Sequence, residues 1–152
     1  MTKEDFCFER DYFPDFLMRQ ADVAEISKKN LWAVMSKWPK IVQEKLKGQA
    51  DISVGTVGER VSGSVLGKKF SIDFSVQSCV TVSMIEAVLS VPAARSQVPV
   101  EVGRFWIAPS GQILSRSNET LLEGEDDGEE GFLSEDLLIA VLRKVMQAPL
   151  TL

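Results

Sequence analysis

Nine carboxylates and no lysine or arginine fall between Ser117 and Asp136, with Glu123, Glu125, Asp126, Asp127, Glu129 and Glu130 at the dense centre. Closely spaced carboxylates in a glycine-containing loop are the raw material of a calcium site. Read in an EF-hand register from Glu123, Glu125 and Asp127 take the third and fifth positions, and Gly128 takes the turn at the sixth. The match ends there. Glu130 stands where the eighth position needs an aliphatic side chain, and Ser134 stands where the twelfth needs a bidentate Glu. No metal site is assigned, and the tract reads as a solvated block able to meet a partner.

Acid/base chemistry is the second possibility. Asp73, Glu86 and Glu101 lie on expected strands, and a pair of carboxylates at a defined separation can act as general acid and base. The chain contains no histidine, which removes the imidazole base, the Ser-His and Cys-His couples and the imidazole metal ligand. Cys7 and Cys79 are far apart and cannot build a four-thiolate zinc site; they read as reduced thiols packed like small hydrophobes. The glycines Gly55, Gly58, Gly63 and Gly67 ahead of Lys68 do not make a phosphate loop. Gly63 and Gly67 have three residues between them instead of four, Lys69 follows Lys68, and a strand comes next instead of a helix. No catalytic residue and no cofactor are assigned, and an enzyme working through carboxylates or lysine is the weaker alternative.

Recognition is the third possibility. Residues 20–47 carry Lys28, Lys29, Lys37, Lys40, Lys45 and Lys47 against Asp22, Glu25 and Glu44, with two helices expected to meet near Lys29–Asn30. That pattern makes a DNA-binding transcriptional regulator with a helix-turn-helix-like segment at 20–47 the first alternative, yet the turn has no Gly and a basic outer face on a core helix explains everything seen. Trp32, Trp38, Phe105 and Trp106 read mainly as core aromatics. If Trp106 lies on the open side of a sheet, it becomes an anchor for a binding surface beside Asp73.

These side chains must be positioned by regular elements. Asp22 with Glu25 reads as a capping box, and Asn30 as a further N-cap ahead of Leu31, Val34, Met35, Trp38 and Val42 at helical spacing. Pro39 should kink this region or start a new helix, and Gly48 should end it. Residues 14–47 are therefore expected to be helical with a break or two. Phe70, Ile72, Phe74 and Val76 alternate with Ser71, Asp73 and Ser75, a half-buried strand that Leu66-Gly67-Lys68-Lys69 joins to Val61–Val65 as a hairpin. Val80–Val91 changes phase, which predicts a bulge near Met84–Ile85 or a short helix at Met84–Leu89. A strand from Val98 to Ile107 slips phase near Gly103, and Pro109-Ser110-Gly111 turns it into Gln112–Arg116. Ser134 reads as the N-cap of a last helix with Glu135 and Asp136 in its first turn.

The expected fold class is α+β: N-terminal helices, an antiparallel meander of four to five strands, and a C-terminal helix packed on one sheet face in two layers. One domain over 1–152 is expected, with a helical part at 1–48, a sheet at 51–117, an acidic linker at 118–133 and a helix at 134–148. A chain of 152 residues can bury roughly 68–70% of its unfolded surface, enough for a core without staples. No stretch approaches the roughly 20 apolar residues of a membrane span, and the charged opening Met1–Arg10 lacks a signal-peptide core, so a cytoplasmic location is expected. The net charge of −5 argues against tight non-specific nucleic-acid binding by the whole chain. These features together point to a small non-catalytic protein-binding module, comparable in size and acidity to inhibitors, immunity proteins and secretion-type chaperones. It would use an open sheet face with Trp106 and Asp73 and the acidic loop Glu123–Glu130 to hold a basic protein partner. A homodimer is compatible with the same features.

Overall fold

A computed structural model describes residues 1–78, 83–115, 119–122 and 132–149. Two short 3₁₀ turns, Lys3–Phe6 and Arg10–Tyr12, lead into helix α1, Phe13–Met35. Pro14 sits in the first turn of α1, where its missing N–H costs no intrahelical bond. The buried positions Ala24, Ser27, Leu31, Val34 and Met35 keep one face against the core. No break occurs at Lys29–Asn30. Asp22, Glu25 and Asn30 all lie inside α1, because the apolar period runs through them and no Gly or Pro interrupts it. Asn30 is not a cap; its side-chain Nδ2 donates to the carbonyl of Pro109 at 2.8 Å.

The break falls at Ser36–Lys37, just ahead of Pro39, whose ring would clash with a carbonyl one turn back. Helix α2, Trp38–Lys45, starts there with Pro39 in its first turn and buries Trp38 and Val42. Lys47 and Gly48, with φ of 44° and 80°, then reverse the chain.

Seven strands follow, two more than the upper expectation: β1 Ala50–Ser53, β2 Val61–Val65, β3 Lys68–Ser78, β4 Ser83–Pro92, β5 Pro99–Ile107, β6 Ile113–Leu114 and β7 Thr120–Leu122. They pair antiparallel in sequence order, so the meander is as expected and its length is not. The unexpected members are β1 and β7, of four and three residues, too short to show a period of two. β7 occupies part of the segment read as a linker at 118–133. Leu66 and Gly67, at φ of 50° and 78°, form the two-residue turn with both central residues at positive φ that matches strand twist.

Neither the bulge near Met84–Ile85 nor the short helix at Met84–Leu89 is present. β3 and β4 pair without interruption from Ile72↔Leu89 to Ser78↔Ser83, so Met84 and Ile85 carry no bulge and 84–89 is strand. Cys79–Val82 lie outside the described residues. The slip near Gly103 is present: Leu89 pairs with Gly103 and Ser90 with Glu101, leaving Val102 as the extra residue of a bulge. Such bulges increase local twist; the sheet is curled, and the two-layer packing expected is matched only in part.

Helix α3, Phe132–Gln147, begins before Ser134, so Ser134 is not its cap. Its side chain is fully buried, and Oγ donates to the carbonyl of Val34 at 2.5 Å. The carbonyl of Ser134 accepts from Trp38 Nε1 at 2.9 Å. One residue thus joins all three helices. A continuous cluster of buried side chains, including Leu31, Trp38, Ile72, Ile85, Ile107 and Leu138, unites the helices with the inner side of β1–β6.

Candidate functional site

The outer side of the sheet is built by alternation. The register aligns Asp73 with Val88 and Val88 with Arg104, and aligns Ser75 with Glu86 and Glu86 with Trp106. Arg104 holds two carboxylates. Its Nε and Nη2 donate to Oε1 and Oε2 of Glu101 at 2.8 and 2.6 Å, and its Nη1 donates to Glu86 Oε1 at 3.0 Å. The hydrogen bonds from Arg104 to Glu101, helped by the charge of Glu86, push the guanidinium pKa upward against the opposing effect of burial. Arg104 is therefore a fixed cation at every accessible pH. Asp73 is separately paired, with Oδ1 2.6 Å from Arg60 Nε. The three carboxylates weighed as acid/base candidates are thus divided between two arginines.

Trp106 does lie on this outer side, among the residues that alternate away from the core. It is only 7% exposed, however, and its indole N–H donates to Gln77 Oε1. Asp73 is solvent-facing and Trp106 is not. The structure therefore places the two residues on one face without presenting the tryptophan ring. Glu123, Glu125, Asp126, Asp127, Glu129 and Glu130 lie outside the described residues, as does the candidate calcium register except for its last three positions, 132–134.

The other aromatics do not form a cage. Trp32 meets the edge of Phe74 with ring centroids 4.9 Å apart, and its Nε1 donates to the carbonyl of Gly55 at 3.0 Å. Trp38 is fully buried against α3, and Phe105 faces the core. Several lysines of the 20–47 segment are paired with acids: Lys28 with Glu25 at 3.2 Å, Lys40 with Glu44 at 3.8 Å and Lys45 with Glu135 at 2.6 Å.

Among the described residues the most exposed apolar surface falls on the first twenty, whose aromatic content is plain in the sequence but does not by itself assign a binding role. No residue from Met1 to Val23 is buried. Phe6, Phe8, Tyr12, Phe13, Leu17 and Met18 are between 53% and 67% exposed. Phe13, Phe16, Leu17 and Gln20 continue, at helical spacing, the stripe that Ala24, Ser27 and Leu31 bury against the sheet. The apolar face of α1 thus runs on beyond the body it packs against. Phe13 and Phe16 stack obliquely with centroids 6.5 Å apart. Cys7 belongs to this arm and is exposed, in contrast to the packed thiol expected, with its Sγ donating weakly to the carbonyl of Lys3. The aromatic density of these residues was a visible signal. Periodicity, however, reports that a face is apolar and is silent on whether the same chain covers it.

Two apolar depressions complete the surface. A cleft of about 290 Å³ lies between α3 and β5–β7, lined by Leu89, Phe105, Ile113, Leu121, Leu137 and Val141, with Asp136 and Lys144 among its polar lining. A groove of about 320 Å³ lies between α2, α3 and the Leu66–Gly67 turn; Ile41, Leu46, Leu66, Ile139 and Met146 form its walls and Lys45, Glu135 and Arg143 its polar rim. Among the described residues no cluster of three Cys, Asp or Glu side chains is placed to hold a metal ion, and no helix is long and apolar enough to cross a membrane. No protein-family model matches the chain, and neither a curated protein nor a solved structure matches it significantly.

Proposed function

We propose that this chain is a small, non-catalytic, cytoplasmic protein-binding module of the inhibitor, immunity-protein or chaperone-like kind. The observation that carries this reading is the uncovered arm at residues 1–23, with six large apolar side chains more than half exposed along one continuous segment. Soluble proteins rarely expose contiguous apolar patches of this extent without a partner. Four of the six are aromatic, the type that anchors protein interfaces at low entropic cost.

The outer sheet face contributes a patterned charge surface through Asp73, Arg60 and the Arg104 cluster, while Trp106 supports that face from beneath its polar groups. The acidic loop Glu123–Glu130 steers a basic partner. The absence of histidine and the division of Asp73, Glu86 and Glu101 between two arginines support the non-catalytic part of the proposal.

The test compares the parent chain with Phe8→Ala/Phe13→Ala/Leu17→Ala as baits in the native host, followed by mass spectrometry. All three positions are exposed, so the far-UV circular dichroism and melting temperature should be unchanged. The expected result is a protein retained by the parent and depleted at least about tenfold with the variant, as expected when interface anchors are removed. Equal retention by the two baits would leave the arm without a binding role.

A further inference from the structure

The arm is anchored at one end of the sheet. Gln20 Oε1 accepts from Ser78 Oγ at 3.1 Å and from Ser83 Oγ, at the end of the β3–β4 pair. The groove between α2 and α3 lies at the other end of β3, beside the Leu66–Gly67 turn that leads into Lys68. An 11-residue strand separates the two, about 35 Å at the usual rise. Phe13, Leu17 and Met18 are fixed on α1 beyond Gln20, pointing the arm further from that groove. While α1 is intact, they reach no such groove on their own chain.

The two surfaces are chemically complementary. Residues 1–23 carry Glu4, Asp5, Glu9, Asp11, Asp15 and Asp22 against Lys3, Arg10 and Arg19. Arg143 rims the groove beside Lys45, which is paired with Glu135, the one carboxylate among its described lining residues; Lys47 lies in the turn after α2 and Lys68 opens β3, so the groove and its borders carry a net positive charge. Its apolar walls are open, with Leu66 64%, Ile139 46% and Met146 50% exposed. Two arms laid side by side would oppose like charges, whereas an arm in a groove opposes unlike ones. The six exposed side chains of one arm present on the order of 700 Å² at roughly 100–130 Å² each, of which one groove takes only the part that faces it, short of the ~800 Å² that each partner gives to a stable interface. A reciprocal exchange makes this contact twice.

Resting on the docking-surface reading above, we propose that the arm of one copy seats in the α2–α3 groove of a second copy, and that two copies exchange arms about a twofold axis. Closure about that axis uses both arms and both grooves and leaves no open end for a filament.

Sedimentation equilibrium of the full 152-residue chain over a wide concentration range tests this. The expected result is a dimer with a micromolar or tighter dissociation constant that weakens as salt is raised. Phe13→Ser/Leu17→Ser in the arm and Leu66→Asp/Met146→Glu in the groove alter exposed side chains, and each should convert the dimer to monomer without changing the circular dichroism. Mixing the two variants should restore a heterodimer, because one intact arm then faces one intact groove.

A chain that is monomeric throughout, or a dimer that survives the groove changes, overturns the proposal. If the chain is monomeric and the arm changes still remove a captured host protein, the exchange is wrong and the docking-surface reading stands. If the arm changes affect neither self-association nor capture, both fall together.

Discussion

Ser134 shows how far a single residue's role depends on what surrounds it. A serine followed by two acids, before an apolar periodic run, has the local features of a helix cap. In the fold it lies inside α3, where its hydroxyl donates to the carbonyl of Val34. That carbonyl belongs to the last turn of α1, where carbonyls have no intrahelical partner. The carbonyl of Ser134 in turn receives the indole N–H of Trp38, so a capping need at the end of α1 is met from 100 residues away. Ser134→Ala leaves the Val34 carbonyl buried without this donor and should lower stability by about 1–3 kcal/mol. In urea unfolding the midpoint should fall with the slope unchanged. A midpoint shift equivalent to less than a few tenths of a kcal/mol would mean that the hydroxyl is not needed to satisfy that carbonyl.

At the scale of elements, Gly63 explains how β2 passes between its neighbours. It pairs with Ile52 of β1 and Phe70 of β3, and a Cβ built on it would stand 2.3 Å from the backbone oxygen of Asp51 and 2.8 Å from Phe70 Cζ. Gly103 of β5 is the natural control. A Cβ there would meet Leu89 Cδ2 at 3.7 Å and Lys144 Cγ at 3.8 Å, ordinary packing distances. Gly63→Ala should therefore cost about 1–3 kcal/mol through overpacking against backbone, while Gly103→Ala should lie near the parent in the same melt. Equal melting temperatures for the two variants would contradict the close approach of β1 to β2.

The same contrast marks what was legible in the sequence. Phe70–Val76 and the Leu66–Gly67 turn were readable, since a period of two and a turn residue at positive φ are local properties. The continuity of α1 was not, because Asp22 and Asn30 carry the polar groups that caps use. What overrides them is the unbroken burial of Ala24, Ser27, Leu31 and Val34 against other elements. The arm was unreadable as a surface for the converse reason: the stripe at Phe13, Phe16 and Leu17 is as apolar as a core stripe, and only the end of the sheet distinguishes them.

Taken as a whole, the molecule separates its charge. Residues 1–23 carry six acids and three bases, and Ser117–Asp136 carry nine acids and no bases, so the remaining residues hold 14 of the 17 bases and seven of the 22 acids. A basic body thus bears two acidic regions, the arm and the tract ahead of α3. Their contributions differ in kind. The arm combines acids with exposed aromatic rings, which suits a desolvated contact that governs how slowly a complex dissociates. The tract Glu123–Glu130 has no apolar side chain and suits long-range attraction, which raises the rate of encounter with a basic partner and is screened within about 8–10 Å at ordinary ionic strength.

Replacing Glu125, Asp126, Asp127, Glu129 and Glu130 by Ser and Gly should therefore leave the folded stability close to that of the parent. The association rate with the captured partner should fall about tenfold at low salt, with the dissociation rate nearly constant and the difference vanishing as salt rises. Stopped-flow association at two ionic strengths separates these outcomes. An association rate that is unchanged at low salt would reduce the tract to a connection between β7 and α3, and would leave recognition to the arm.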